Sequence, residues 1–290
     1  FLVYGLGSGR GHATRAGALC AELARLGAEV RLLVSSGARA VLRPFDIEPN
    51  TVLEAEDPSE RAWSRALERF EPTDCVVDTF PEGLYHEVDP SRCVGARWVA
   101  LLRCRRDAQA PAFLASLARY AEVLDLEPAL SWAPAVARPF GSVVRPIGAV
   151  LEQPATDVLL VATEARQRFF LENLAARLAR GGVRTRCVPN PGATRSEAAL
   201  LSGKDLAARV VVGPAGYNLT YELSALGVWH LALPAARQYD HQELRAERVA
   251  AVAHAPAAVE RKVRAWLEQA APRRPGDVRP MYELASALWR

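Results

Sequence analysis

Lysine is almost missing from this chain: Lys204 and Lys262 are the only two among 36 basic residues in a length of 290. No lysine lies in the glycine-rich stretch near the start, which excludes a Walker-type phosphate loop there. Also missing are any C-x-x-C pair, any Asp-x-Asp motif and any apolar run near the roughly 20 residues of a membrane-spanning helix. The five cysteines (Cys20, Cys75, Cys93, Cys104, Cys187) are odd in number and sit mostly in apolar stretches. That pattern argues against a zinc site and for a reducing, cytoplasmic setting. The net charge of +3 comes from dispersed arginines with no basic run interleaved with aromatics, so nucleic acid is not an expected partner. The chain opens inside an apolar run at Phe1 without a methionine, which leaves room for preceding residues.

What is present reads as an α/β protein of two domains. Half of the residues are hydrophobic and 24% are charged, and the length exceeds what one core usually supports. Strands are expected at Phe1–Tyr4, Val30–Val34, Cys75–Val77 and Val99–Leu102, with helices at Thr14–Leu26, Arg61–Phe70 and Phe113–Ala121. Prolines punctuate the stretch from Trp132 to Gln153, which reads as a linker between domains 1–145 and 146–290. After it come strands at Val158–Val161, Arg184–Val188, Val210–Val212 and His230–Leu233. Helices are expected at Arg166–Arg180, Tyr217–Leu226, Gln242–Val252, Val259–Gln269 and Met281–Trp289, the last able to pack back on the first domain. Such alternation implies parallel sheets, whose ligands gather at the carboxyl ends of strands.

The stretch "GLGSGRGHATRA", Gly5–Ala16, sits where a dinucleotide fingerprint would sit, yet both registers of G-x-G-x-x-G fail, at Arg10 and at His12. Two readings of it stay open. Gly7, Gly9 and Gly11 let a ligand approach the backbone while His12 projects toward the carboxyl edge, or they make a tight turn and His12 caps the helix.

"GSGRGHATRAGALCAELARLGAEVRLLV" resembles the N-terminal stretch of glycosyltransferases of the two-Rossmann-domain type B (GT-B) fold. "VVVGPAGYNLTYELSALGVWHLALPAARQYDHQ", Val210–Gln242, resembles the donor-binding segment of the same superfamily. The resemblance implies two Rossmann-like domains facing a cleft, no cofactor or metal, and a nucleotide sugar, UDP-linked, as substrate. It implies that His12 is the general base and that Asp78, at the end of "VVD", orients it; Asp78 also reads as a turn cap, with Glu82 and Glu87 in reserve. On the donor side it assigns Gly213, Ala215 and Gly216 to the diphosphate, Tyr217 and Asn218 to donor binding, and Glu222 to the ribose. Asp240 and Gln242 fall to the sugar, with Gln238 also on the donor-binding side. Bland readings stand beside two of these: Glu222 as a solvated helix acid and Asp240 as a helix N-cap.

"VLLVATEARQRF" departs from the pattern, since Thr163 and Glu164 stand where a glycine turn is usual. "GHATR" also resembles the G-H-x-x-R element of a hydrolase of nucleotide sugars, and the lost glycine turn suits a non-catalytic binding subunit. His86, His230 and His254 read as structural or surface residues. The acceptor is unreadable; Pro44–Pro58 and Arg103–Leu117 are the expected acceptor loops, and Ala38–Phe45 is compatible with a peripheral membrane contact.

Overall fold

The computed structural model describes residues 1–7, 10–48, 51–55, 60–147, 156–162, 165–188, 201, 206–253, 255–269 and 274–290. Gly9, Thr163, Glu164 and His254 fall outside them. The chain divides into two compact units, Phe1–Pro146 with Arg279–Arg290, and Ile147–Val278.

The first unit holds a parallel sheet of seven strands. In chain order its elements are β1 (Leu2–Tyr4), α1 (Arg10–Arg25), β2 (Arg31–Ser35), α2 (Arg39–Leu42), β3 (Val52–Ala55), α3 (Glu60–Phe70) and β4 (Asp74–Asp78). Then follow β5 (Arg97–Leu102), α4 (Pro111–Leu117), β6 (Glu122–Asp125), β7 (Arg138–Pro139) and β8 (Val143–Val144). The strand order β3-β2-β1-β4-β5-β6-β7 reverses direction between β1 and β4. Two crossovers leave opposite ways at that point, so loops on either side part and open a crevice at the carboxyl ends of these two strands. His12 follows β1 and Asp78 ends β4, so topology alone brings both to the switch point.

The second unit holds β9 (Thr156–Val161), α5 (Ala165–Arg180), β10 (Thr185–Val188), β11 (Ala208–Gly213), α6 (Tyr217–Ala225), β12 (Trp229–Ala232), α7 (Gln242–Val249), β13 (Ala251–Val252) and α8 (Pro256–Leu267). Its five parallel strands run β10-β9-β11-β12-β13, with the switch between β9 and β11. Both faces of this sheet are covered at its centre, which is why β9 and β11 carry near-continuous apolar runs, whereas the edge strand β10 (Thr-Arg-Cys-Val) does not. Val158 and Leu160 pack with Leu174 of α5 and Val263 of α8, whereas Leu159 and Val161 pack with Leu223 of α6. The chain then returns to the first unit as β14 (Arg279–Pro280), paired with β8, and α9 (Met281–Trp289).

Three of the boundaries that differ from the sequence reading bear on the site and the sheets. Helix α1 begins at Arg10, so His12 lies in its first turn and not on a loop. The run expected as a helix over Phe113–Ala121 stops at Leu117, because Ala121 N–H already donates to Trp98 O and extends the sheet. The Gln242–Val252 run stops at Val249: Ala250 is extended and 251–252 pair with β12, since short apolar runs serve helix and strand alike. In Ala38–Phe45, Ala38, Val41 and Leu42 are buried, so these apolar side chains are spent on the core and not offered to a membrane.

Candidate active site

At the switch point of the first unit, one carboxylate is held by three side-chain hydrogen bonds from two residues. Asp78 Oδ2 lies 2.8 Å from His12 Nδ1, and Arg15 holds both carboxylate oxygens, Nε to Oδ1 at 2.8 Å and Nη2 to Oδ2 at 2.6 Å. His12 and Arg15 are three apart on α1, which puts them on one helix face above β4. Both readings of these residues as mere caps are thereby corrected, since their side chains are engaged with one another across α1 and β4. Burial alone would raise the Asp78 carboxyl, but Arg15 and His12 hold it down at about 2, so it stays ionised. An ionised acceptor fixes the hydrogen of His12 on Nδ1 and leaves the lone pair on Nε2.

That lone pair faces Arg103, whose Nη2 is 3.0 Å from His12 Nε2. Burial first, and then the Arg103 charge, push the imidazole down to about 4 against the pull of Asp78. The ring also stacks on Phe80, centroids 5.1 Å apart. Gly7 is needed for this placement: a Cβ there would stand 2.3 Å from His12 Cδ2. The glycine therefore makes room for the imidazole, an intramolecular use that the sequence did not reveal. Gly11 is exposed in the first turn of α1.

Thr79 ties the arginines together. Its hydroxyl accepts from Arg15 Nη2 at 3.1 Å and Arg103 Nε at 3.0 Å, and its carbonyl accepts from Arg105 Nη1 at 3.0 Å. It sits at φ 71°, where a β-branched residue is strained, in a tight turn closed by Phe80 N–H donating to Asp78 O. Arg105 is paired with Asp107 at 2.6 Å and Glu82 at 3.3 Å and lies over the rings of Phe80 and Phe113. Of the reserve carboxylates, Glu82 serves Arg105, while Glu87 binds the Tyr4 hydroxyl and the Tyr85 N–H, so neither reaches His12.

In the second unit, β11 ends at Gly213 and α6 starts after Gly216, which is its N-cap with φ −65° and ψ 147°. Its N-cap, Gly216, has no side chain to close the helix and no acid lies in its first turn, so no carboxylate of that turn opposes an anion at the positive end of the dipole. A Cβ on Gly216 would meet nothing within 4 Å, whereas one on Gly213 would crowd Val161 at 3.0 Å. Ala215, Tyr217 and Glu222 are buried, which corrects the reading of Glu222 as a solvated acid. Asp240 accepts from Arg245 Nη1 at 2.9 Å and from Gln242 Nε2 at 3.1 Å; Gln242 Oε1 accepts from Ala235 N–H. The fully buried Arg245 also donates to Ala215 O at 2.9 Å, fastening the loop before α7 to the turn before α6. The N-cap of α7 is His241, not Asp240. Gln238 is exposed, its amide donating to the Tyr239 hydroxyl, and Asn218 is half-buried in the first turn of α6.

No family model and no curated protein matches the chain. Solved structures do. The glycosyltransferase of kitacinnamycin superposes over 100% of this chain and 93% of its own at a TM-score of 0.63 and 14% identity. Spinosyn rhamnosyltransferase SpnG complexed with thymidine diphosphate covers 99% and 95% at 0.61 and 13%. MurG of Acinetobacter baumannii covers 99% and 99% at 0.58 and 14%. The chain has the GT-B glycosyltransferase fold.

Within that GT-B fold the sequence singled out His12, Asp78 and the Gly213–Gly216 turn; it placed Arg15 in a G-H-x-x-R element and Arg103 and Arg105 in an expected acceptor loop without a role of their own, and passed over Thr79 and Arg245. For Arg15 the signal was there, in the helical spacing from His12. For Arg103 and Arg105 it was the i, i+2 pair directly after β5, which puts two guanidinium groups on one side of the carboxyl edge. His86 is exposed and His230 is buried in β12. Among the described residues no group of three or more His, Cys, Asp or Glu is placed to hold a metal ion, and no helix is long and apolar enough to cross a membrane.

Proposed function

We propose that this protein is an inverting glycosyltransferase that moves a sugar from a UDP-type nucleotide sugar to an acceptor hydroxyl without a metal. The observation that carries the reading is the His12–Asp78 pair at the switch point: a neutral imidazole whose Nδ1–H is held by a buried carboxylate, which leaves a lone pair on Nε2. In the step itself the acceptor oxygen attacks the anomeric carbon as the bond from that carbon to the diphosphate oxygen breaks. One displacement from the opposite face inverts the centre. The hydroxyl proton passes to Nε2, and Asp78 stabilises the imidazolium.

The second unit is assigned the donor. The start of α6 offers backbone N–H groups and the positive end of its dipole to a diphosphate, with Glu222 as acceptor for two ribose hydroxyls and Asp240 and Gln242 near the sugar. The test is turnover of a panel of UDP-sugars with hydroxyl acceptors. His12→Ala is expected to lower kcat by 10²-fold or more while UDP binding by calorimetry is unchanged. Wild-type transfer by that variant would sink the base assignment, and equally fast UDP release without any acceptor would make the enzyme a hydrolase.

A further inference from the structure

The atom that must take the proton is already in use. His12 Nε2 accepts from Arg103 Nη2 at 3.0 Å, and a lone pair engaged by a guanidinium has no room for a hydroxyl proton. Among the described residues, the other groups packed around the ring do not bond Nε2. Asp78 on β4 holds Nδ1, Arg15 on α1 is bound to Asp78, and Phe80 covers the ring plane. After burial, Arg103 is also the main reason the imidazole sits at about 4. One side chain thus both covers and weakens the base.

We propose that the acceptor carries an oxyanion, a carboxylate or phosphate, beside its attacking hydroxyl, and that this group draws Arg103 off His12 Nε2 as it binds. This rests on the transferase reading given above. A guanidinium prefers an oxyanion to a neutral imidazole, because its planar fork matches two oxygens and charge-assisted bonds are about twice as strong as neutral ones. Arg103 is also anchored for such an exchange. Its Nε–H stays on the Thr79 hydroxyl at 3.0 Å, and Arg15 fixes that hydroxyl at 3.1 Å, so the fork pivots beside the base without leaving it. The hydroxyl then takes the vacated place, its proton moves to Nε2, and the oxyanion compensates the arginine charge that had opposed protonation. A neutral acceptor brings none of this, so selection acts through uncovering the base as well as through affinity.

The test follows the ring nitrogens of His12 by ¹⁵N NMR in the full chain, assigned by their loss in His12→Asn, with inorganic phosphate as the probe at constant ionic strength. Phosphate is expected to raise the His12 titration midpoint from about 4 by about one pH unit. Arg103→Gln should start with a raised midpoint and show no response. Arg103→Lys, which keeps the charge without the fork, should keep the low midpoint and so separates this effect from a folding defect. An unmoved midpoint in the wild type, or an equal movement in Arg103→Gln, would falsify the proposal. UDP is the second probe: if it alone moves His12 through Arg103, the oxyanion belongs to the donor and the acceptor claim falls. None of these readouts needs turnover, so a phosphate response without any sugar transfer would leave Arg103 an anion receptor and discard only the transferase reading.

Discussion

His12 is held neutral by its surroundings, and that fixes two pH dependences. Its value in the folded chain, about 4, lies below the ordinary 6.5, so between these pH values the unfolded chain binds more protons than the folded one. The stability this contributes is therefore complete above about pH 6.5 and is lost as pH falls toward 4, on the order of 3 kcal/mol in all. Asp78, lowered from 3.8 to about 2, adds a second loss over that lower window. For catalysis the same residue predicts that kcat/KM, which reports the free enzyme, stays level from neutral pH down to about 5 and falls with a midpoint near 4. A limb near 6.5 would mean that the imidazole is not buried against Arg103 in solution. In Arg103→Gln the limb should move upward toward the ordinary value.

The elements carry the site through their ends. The reversal of strand order between β1 and β4 is beyond reach of local pattern, because β3 (Val-Leu-Glu-Ala) and β6 (Glu-Val-Leu-Asp) are four-residue strands with weak signals and the pairing order is not a local property. What was legible was the strand-turn-helix grammar on each side, with His12 after one strand and Asp78 at the end of another. The arginine roles were not legible, since a guanidinium is placed by partners distant in sequence, as Arg15 and Arg103 are by Thr79. In the second unit the turn before α6 gives a clean test. Gly216 has an ordinary φ and open space where a Cβ would be, so the protein's own packing does not require glycine there. Gly216→Ala is expected to change stability by less than about 1 kcal/mol, the range of an N-cap exchange. If the diphosphate sits on this turn, the added methyl stands against it, and UDP affinity by calorimetry should fall at least tenfold. Unchanged affinity would move the donor elsewhere.

At the scale of the whole chain, the last twelve residues belong to the first unit, not to the second that precedes them. Helix α9 packs on α1, the helix that carries His12 and Arg15, and its Met281, Leu284, Ala285 and Leu288 are buried. The Phe1 and Trp289 rings lie 6.1 Å apart, and Arg97 donates to the Leu288 carbonyl, so both chain ends close over the same region. The helix that carries His12 is therefore supported by the far end of the sequence. Leu284 is fully buried, and Leu284→Ala removes its contacts and leaves a cavity, at a cost of about 2–5 kcal/mol. Hydrogen exchange should show that cost in the amides of α1, while those of β11 and α6 keep their protection and UDP affinity is unchanged. If α1 amides exchange as slowly as in the wild type, α9 does not hold that helix. If they open, transfer activity should be lost on warming before UDP binding is, since proton removal and donor binding are assigned to separate units.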